Sequence, residues 1–171
     1  MTLGELFTRH GSDKESHHGY AATYERLLGP VRATLPAMLE IGIARSASLR
    51  AWRDWFTVAD IWAIDNAAEI LHEPRWHCFR ADSRVRAETD AVLGDMKFGF
   101  ICEDGGHRLD EQQETWENLK ERLTPGGVYV VEDIQGDGGL WWFEERDFTV
   151  VDLRPLRGHG DDILAVWTRP T

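Results

Sequence analysis

The 171-residue sequence has little cysteine, no long apolar segment and no basic leader. Its two cysteines, Cys78 and Cys102, both lie inside apolar runs, so we expect buried reduced thiols rather than a disulfide framework. No apolar run approaches the roughly 20 residues that a membrane span needs. The first residues lack the basic start and apolar core of a signal peptide. We therefore expect a cytoplasmic protein without a membrane partner.

Basic residues are also scarce. The chain has 19 Lys and Arg against 30 Asp and Glu, a net charge of −11. Because binding to a phosphate backbone requires a basic face, nucleic acid is not an expected partner. The length fits one domain, residues 1–171, with no linker or internal repeat. Within it, residues 1–35 precede the first predicted strand and are expected to form an N-terminal cap or lid.

Apolar strand-like runs alternate with amphipathic helical patterns along most of the chain. Residues 3–9 are expected to form at most a short helical turn. The alternation predicts an α/β fold, a Rossmann-like doubly wound sheet that is mostly parallel with an antiparallel edge strand. The predicted strands are 37–43, 60–65, 76–79, 98–102 and 127–131, followed by a closing pair at 148–153 and 163–167.

Acidic residues follow two consecutive predicted strands. Asp104 follows the fourth strand, Glu132 and Asp133 follow the fifth, and His107 lies between them. Parallel strands joined by a right-handed crossover end at the same edge of the sheet, where α/β sheets bind ligands. Three carboxylates beside an imidazole indicate a hard-cation site next to a base. The alternatives are solvated strand ends and a histidine that merely starts a helix.

The turn after the first predicted strand is the expected cofactor site. Glu40, Gly42, Ala44 and Ser46 end the strand and open a helix, where a nucleoside cofactor lies in such sheets. Asp65 ends the next strand, where an acid can hold both ribose hydroxyls. A pyrophosphate requires glycines in this loop, so its composition disfavours NAD or FAD. A tight turn without a ligand is the alternative.

Several motifs in this order resemble those of class I S-adenosylmethionine-dependent methyltransferases. Within that class, the chain resembles the metal-dependent sugar O-methyltransferases of the macrocin and mycinamicin type. The resemblance covers nearly the whole chain. It rests on Asp65 and on four segments, GSDKESHHGYAATYERLLGPVR, LEIGIARSASLRAW, EDGGH and LTPGGVYVVEDI.

The resemblance implies a role for each matching position. The implied cofactors are S-adenosyl-L-methionine and Mg²⁺. Three departures are visible: the glycine-rich loop of the family is Ala-Arg-Ser-Ala here, its paired aspartates are Glu103-Asp104, and the extra N-terminal sequence of the large macrolide enzymes has no counterpart. The implied roles are Glu40 and Gly42 at the methionine part, Asp65 at the ribose, Asp82 and Ser83 at the adenine, His18 and Tyr20 in a lid, Asp104, Glu132 and Asp133 as metal ligands, and His107 as general base.

The expected activity is Mg²⁺-dependent methyl transfer to a hydroxyl of a small acceptor, a sugar or glycosylated metabolite. The alternative is a non-catalytic nucleoside-binding module of the same fold. Trp141 and Trp142 are expected either to stack on the acceptor or to pack under the edge strands. Contacts within a homo-oligomer or the loop 135–147 would complete the acceptor face, and the sequence leaves both open.

Overall fold

A seven-stranded sheet forms the centre of the computed structural model, which describes residues 1–67 and 73–171. Its strand order is β3-β2-β1-β4-β5-β7-β6. The strands are β1 Ala37–Ile41, β2 Asp60–Asp65, β3 Trp76–Arg80, β4 Phe98–Glu103, β5 Leu123–Val131, β6 Thr149–Asp152 and β7 Ile163–Thr168.

Helices cover both faces of this sheet. None of the helices within the described ranges is long and apolar enough to cross a membrane. The α-helices are α1 Leu3–His10, α2 Asp13–Ser16, α3 Ala21–Leu28, α4 Ala47–Trp55, α5 Arg86–Leu93, α6 Leu109–Leu119, α7 Leu140–Glu144 and α8 Arg154–Arg157, with 3-10 turns at Gly29–Val31, Lys120–Arg122 and Asp137–Gly139.

The sheet confirms the predicted fold class. Strands β1 to β5 are parallel, and β7 pairs antiparallel with both β5 and β6. The antiparallel strand β7 therefore lies one position inside the edge, which β6 occupies. One boundary prediction was wrong: residues 123–126 belong to β5 instead of preceding it. The pairing register shifts between Phe98 and Phe100 opposite this Pro-Gly segment, and this irregularity lets the strand continue through it.

The N-terminal segment is more helical than its sequence predicts. Residues 3–9 were expected to form one turn, but α1 is a capped helix of eight residues. Thr2 and Glu5 form a reciprocal capping box at its start, which satisfies two otherwise free backbone N–H groups. The Phe7 ring packs edge-on against Trp52 of α4 at 5.0 Å between centroids. Tertiary packing on α4 therefore stabilises a helix that is too short to form alone.

Two apolar clusters cover the two faces of the sheet. One joins the N-terminal helices to α4 around Trp52 and Phe100. The other lies under α6 and α7 and contains Trp116 and Trp142. Trp142 packs against Trp116, whereas the neighbouring Trp141 is 53% exposed. The two predicted uses of this tryptophan pair are thus divided, because Trp142 packs in the core and only Trp141 is free to meet another molecule.

Candidate active site at the carboxyl ends of the strands

A cavity of about 610 Å³ opens at the carboxyl ends of the parallel strands. The candidate site was predicted from the sequence at this same edge of the sheet. Both cysteines lie outside it, buried and unpaired as predicted. The predicted site residues that line the cavity are His18, Gly42, Ala44, Asp65, Asp82, Ser83, Asp104, His107, Glu132 and Asp133.

The turn after β1 approaches β4 very closely. Gly42 has φ +90°, and a Cβ there would lie 2.0 Å from the carbonyl oxygen of Asp104. Ala44 and Ser46 have φ values of +42° and +60°, in the left-handed region that glycine favours. The loop therefore adopts a glycine-type backbone even though two of its residues carry side chains. Asp65 Oδ2 fixes the turn by accepting the Ile43 N–H at 2.7 Å.

The far wall of the cavity carries the residues expected near an adenine. Both carboxylate oxygens of Asp82 accept hydrogen bonds from the Arg84 guanidinium, which lowers the pKa of Asp82. The Ser83 hydroxyl lies 2.9 Å from that of Thr115 on α6. These side chains belong to the loop after β3 and to α6, and all of them line the cavity.

Three residues predicted for the cofactor site do not line the cavity. Ser46 is buried behind the turn. Tyr20 is also buried and donates its hydroxyl hydrogen bond to Asp133 Oδ1 at 2.7 Å. Glu40 accepts from the Ser48 hydroxyl at 3.0 Å, and burial raises its pKa to about 7. In this structure these residues support the cavity from behind.

The opposite end of the cavity brings an imidazole and two carboxylates together. His107 Nε2 lies 3.5 Å from Asp104 Oδ1 and 3.8 Å from Asp133 Oδ2. Adjacent strand residues point to opposite faces, so Asp133 can turn toward Asp104 only where the strand has ended. Strand β5 ends at Val131, and Asp133 has φ +55°. The chain therefore bends at the position that the ligand prediction required.

The charges of this group are set by their proximity. The carboxylate of Asp104 is the main reason that the pKa of His107 is raised to about 9, although partial burial opposes the shift. Burial alone would raise the pKa of Asp104, but Lys14 and His107 outweigh it and the pKa is lowered. In the ion-free protein His107 is therefore mostly protonated at neutral pH.

Glu132 has a partner that the sequence did not predict. Its Oε2 accepts from Lys14 Nζ at 2.5 Å, and its Oε1 accepts from the Tyr24 hydroxyl. Burial raises the pKa of Glu132 to about 8. Burial also opposes the charge of Lys14, yet Asp104 and Glu132 outweigh it and the pKa of this lysine is raised. No sequence pattern marks Lys14, since it lies in a polar segment that resembles an exposed turn.

A second unpredicted residue holds His18. Asp162 is fully buried, and its Oδ1 lies 2.9 Å from His18 Nδ1. Its Oδ2 accepts the backbone N–H of His159 at 2.9 Å. The buried carboxylate thereby fixes the ring orientation of His18, which leaves Nε2 as the remaining polar atom of the ring. The 144 positions between the two residues explain why sequence reasoning missed this pair.

The donor set suits a hard divalent cation in its chemistry. Asp104, His107 and Asp133 each offer a ligand atom, and these atoms lie within 4.8 Å of one another. Carboxylate oxygens are the protein ligands that Mg²⁺ prefers. The predicted third carboxylate, Glu132, lies beside them but has its Oε2 on Lys14. The fit is therefore direct for Asp104 and Asp133, and for Glu132 it requires Lys14 to move.

Among characterised proteins, this chain is similar to enzymes that methylate sugars. It is 35% identical over 145 residues to 8-demethyl-8-alpha-L-rhamnosyl tetracenomycin-C 2'-O-methyltransferase of Streptomyces olivaceus, covering 78% of this chain and 38% of the relative. It is 25% identical over 142 residues to mycinamicin VI 2''-O-methyltransferase of Micromonospora griseorubida, covering 77% of this chain and 36% of the relative. The chain thus spans less than half the length of these relatives. No family model matches it.

Solved methyltransferase structures share the fold of this chain. The MycE methyltransferase of mycinamycin biosynthesis, in complex with Mg and SAH, superposes with a TM-score of 0.81 at 20% identity over 99% of this chain and 55% of that one. Its complex with Mg, SAH and mycinamycin VI gives a TM-score of 0.72 at 26% identity over 78% of this chain and 39% of that one. A caffeoyl-CoA O-methyltransferase-like protein of Staphylococcus aureus shares the fold, with a TM-score of 0.64.

Proposed function

We propose that this protein is a Mg²⁺-dependent S-adenosylmethionine O-methyltransferase. The proposal starts from the class I methyltransferase fold of the chain and from its resemblance to sugar O-methyltransferases. The proposed acceptor is a hydroxyl of a glycosylated small molecule, since the curated relatives act on rhamnosyl tetracenomycin and on the macrolide mycinamicin VI. Because the chain covers less than half of those relatives, the activity of the whole protein is part of the proposal. The cytoplasmic location and the absence of a nucleic-acid partner stay predictions from the sequence.

One observation carries the proposal: a single cavity joins the glycine-type turn at Gly42 to the Asp104–His107–Asp133 group. The first end suits a nucleoside cofactor without a pyrophosphate, and the second suits an activated hydroxyl. The left-handed backbone of Ala44 and Ser46 also counts against the alternative of a disabled cofactor loop, because the turn keeps its shape despite the missing glycines. An intact turn fits an enzyme and a binding module alike, and the feature that favours an enzyme is the Asp104–His107–Asp133 group at the other end.

The proposed cofactor contacts follow from the lining residues. Asp65 would hold the ribose hydroxyls, and Asp82 with Ser83 would border the adenine. The methionine part would lie along the turn at Gly42, where the absence of a side chain lets the backbone approach. Glu40 and Ser46 support that turn from behind. His18, which lines the cavity, would belong to a lid over it, and Tyr20 would act through its hydrogen bond to Asp133.

At the acceptor end, Asp104, Glu132 and Asp133 would hold Mg²⁺. When bound, the ion lowers the pKa of a coordinated hydroxyl and fixes its position. His107 would take the hydroxyl proton. It must be neutral for this, and positive charge bound to Asp104 and Asp133 would oppose the carboxylate effect that now raises its pKa. Orientation of the two substrates in one cavity supplies much of the remaining rate.

The proposal is tested first by calorimetric titration with S-adenosylhomocysteine, with and without Mg²⁺. We expect micromolar binding, a Kd that corresponds to about −8 kcal/mol. Methyl transfer is then measured by mass spectrometry with a rhamnosylated polyketide and a macrolide glycoside as acceptors. Absence of cofactor binding in both conditions would contradict the proposal.

Two variants separate the base from the binding site. His107→Ala should retain S-adenosylhomocysteine affinity and lose methyl transfer by about 100-fold or more, the usual range for a general base. His77→Ala is the matched control, because His77 lies on β3 with 40% of its side chain exposed and does not line the cavity. Equal turnover in the two variants would remove the assignment of His107. Chelation by EDTA should abolish turnover, and Mg²⁺ should restore it.

A further inference from the structure

The acidic end of the cavity already contains a protein cation. Lys14 lies on the short helix α2 and is 2% exposed. Its Nζ lies 2.5 Å from Asp104 Oδ2 and 2.5 Å from Glu132 Oε2. A buried ammonium group is very unfavourable unless it is paired and hydrogen-bonded. These two carboxylates are therefore what allows Lys14 to lie inside the protein.

Lys14 lies among more carboxyl groups than it bonds directly. A third buried carboxylate, Glu40, has its Oε1 3.5 Å from Nζ. That oxygen accepts no hydrogen bond of normal geometry within the described ranges, although the Trp52 indole lies close enough to oppose the rise in the pKa of Glu40. One ammonium thus faces three carboxyl groups, of which two are directly bonded. The third, Glu40, keeps an oxygen close to the ammonium that Lys14 does not bond.

The same oxygens are needed by the proposed metal ion. Glu132 Oε1 is engaged by the Tyr24 hydroxyl and the Cys102 thiol, so Oε2 is the oxygen left for a ligand. Lys14 occupies it. Asp104 directs Oδ1 toward His107 and Asp133, but its Oδ2 also accepts a hydrogen bond from Lys14. An ion bound by both Asp104 and Glu132 must therefore compete with Lys14 or displace it.

We propose that Lys14 is a tethered cation that competes with the divalent ion for Asp104 and Glu132. The inference rests on the metal ligands of the proposed function and goes beyond it, because it couples metal binding to the N-terminal segment. That segment also carries His18 and Tyr20, which contact Asp162 and Asp133. Displacement of the Lys14 ammonium would therefore also affect the contacts of His18 and Tyr20.

The test compares Mg²⁺ binding by calorimetry in the ion-free protein and in Lys14→Met, with no cofactor present. Methionine keeps the length and removes the charge. We expect the Kd for Mg²⁺ to fall at least about tenfold, which corresponds to about 1.4 kcal/mol. In EDTA the variant should melt at a lower temperature than the wild type, and Mg²⁺ should raise its Tm by more. An unchanged or weaker affinity in the folded variant would overturn the proposal.

Lys97→Met is the matched control. Lys97 is exposed and donates to the Glu121 carbonyl oxygen at 2.9 Å, far from the cavity lining. The Mg²⁺ affinity of the Lys97→Met variant, and the shift in its Tm when Mg²⁺ is added, should equal those of the wild type. A tenfold gain in this variant as well would mean that net charge, rather than the place of Lys14, controls binding, and would contradict the proposal.

A measurement on the wild type covers the case in which Lys14→Met does not fold. The ¹⁵N resonance of the Lys14 ammonium, assigned by its loss in Lys14→Arg, is followed during Mg²⁺ addition. We expect it to shift at the same concentrations at which the His107 ring resonances shift. A static Lys14 resonance while His107 responds would overturn the competition.

These outcomes are separable from those of the proposed function. Loss of methyl transfer with intact competition would contradict only the enzymatic proposal. Normal methyl transfer with equal Mg²⁺ affinity in the wild type and Lys14→Met would contradict only the role of Lys14. Failure of both proteins to bind Mg²⁺ would contradict both.

Discussion

Gly42 and Asp104 meet so closely that a single added carbon could not fit between them. A Cβ on Gly42 would lie 2.0 Å from the carbonyl oxygen of Asp104, and the glycine has φ +90°. This contact holds the turn after β1 against the strand end that bears the acidic group. The two halves of the candidate site are therefore in direct backbone contact at the point where they join.

Gly42→Ala is accordingly expected to be strongly destabilising. The left-handed conformation alone costs alanine about 1–2 kcal/mol, and the contact with the Asp104 backbone must be relieved in addition. We expect a loss of at least about 2 kcal/mol in the free energy of unfolding, measured in urea. Gly138→Ala is the control, because a Cβ there meets nothing within 4 Å. Similar midpoints for the two variants would contradict the close approach.

Ala44→Gly should act in the opposite direction. Ala44 is exposed and has φ +42°, so glycine removes backbone strain without loss of packing. Glycine also makes the unfolded chain more flexible, which offsets part of this gain. We therefore expect the free energy of unfolding to rise by about 0–1 kcal/mol. Cofactor affinity should be kept. Ala91→Gly, at an exposed position in the interior of helix α5, should instead lose about 0.5–1 kcal/mol. Equal losses of stability in the two variants would contradict backbone strain at Ala44.

His107 should make stability depend on pH. Its pKa of about 9 in the folded protein exceeds the unfolded value of about 6.5. Its stabilising effect is thus fully present below about pH 6.5 and is lost as the pH rises through about 9. Since 42% of the side chain is exposed, we expect His107→Ala to cost only about 1 kcal/mol more at pH 6 than at pH 10.

The source of this dependence can be checked in a double-mutant cycle. In an Asp104→Asn background, the effect of His107→Ala should vary much less with pH, because the carboxylate that chiefly raises the pKa of His107 is gone. Urea unfolding of the wild type, the two single variants and the double variant at both pH values supplies the cycle. A pH dependence that persists unchanged without the Asp104 carboxylate would assign the shift to another group.

Asp162→Ala should destabilise the protein by about 1–3 kcal/mol. The change leaves the buried His18 Nδ1 and the His159 N–H without their acceptor. Asp161→Ala is the neighbouring control, because the Asp161 side chain is only partly buried and accepts one weak hydrogen bond from Gln135 at 3.4 Å. The two variants are compared by thermal and urea unfolding. A greater effect at Asp161 would contradict the role assigned to Asp162.

The sequence alone predicted the seven strands in their order along the chain, and with them the edge of the sheet at which Asp65, Asp104 and Asp133 lie. These predictions depend on local signals: an apolar run, a polar residue at its end and a helix that follows. Parallel strands with right-handed crossovers leave only one edge for such residues. The fold class and the position of the cavity were predictable for this reason.

Only the tertiary structure decided which side chains are paired inside the site. Lys14 meets Glu132 across 118 positions of sequence, and His18 meets Asp162 across 144. Neither partner is marked locally, because a lysine or an aspartate in a polar loop looks the same whether it is solvated or buried. Their burial is favourable only when the opposite charge is in place, and that depends on how the N-terminal helices and the last loop pack over the sheet.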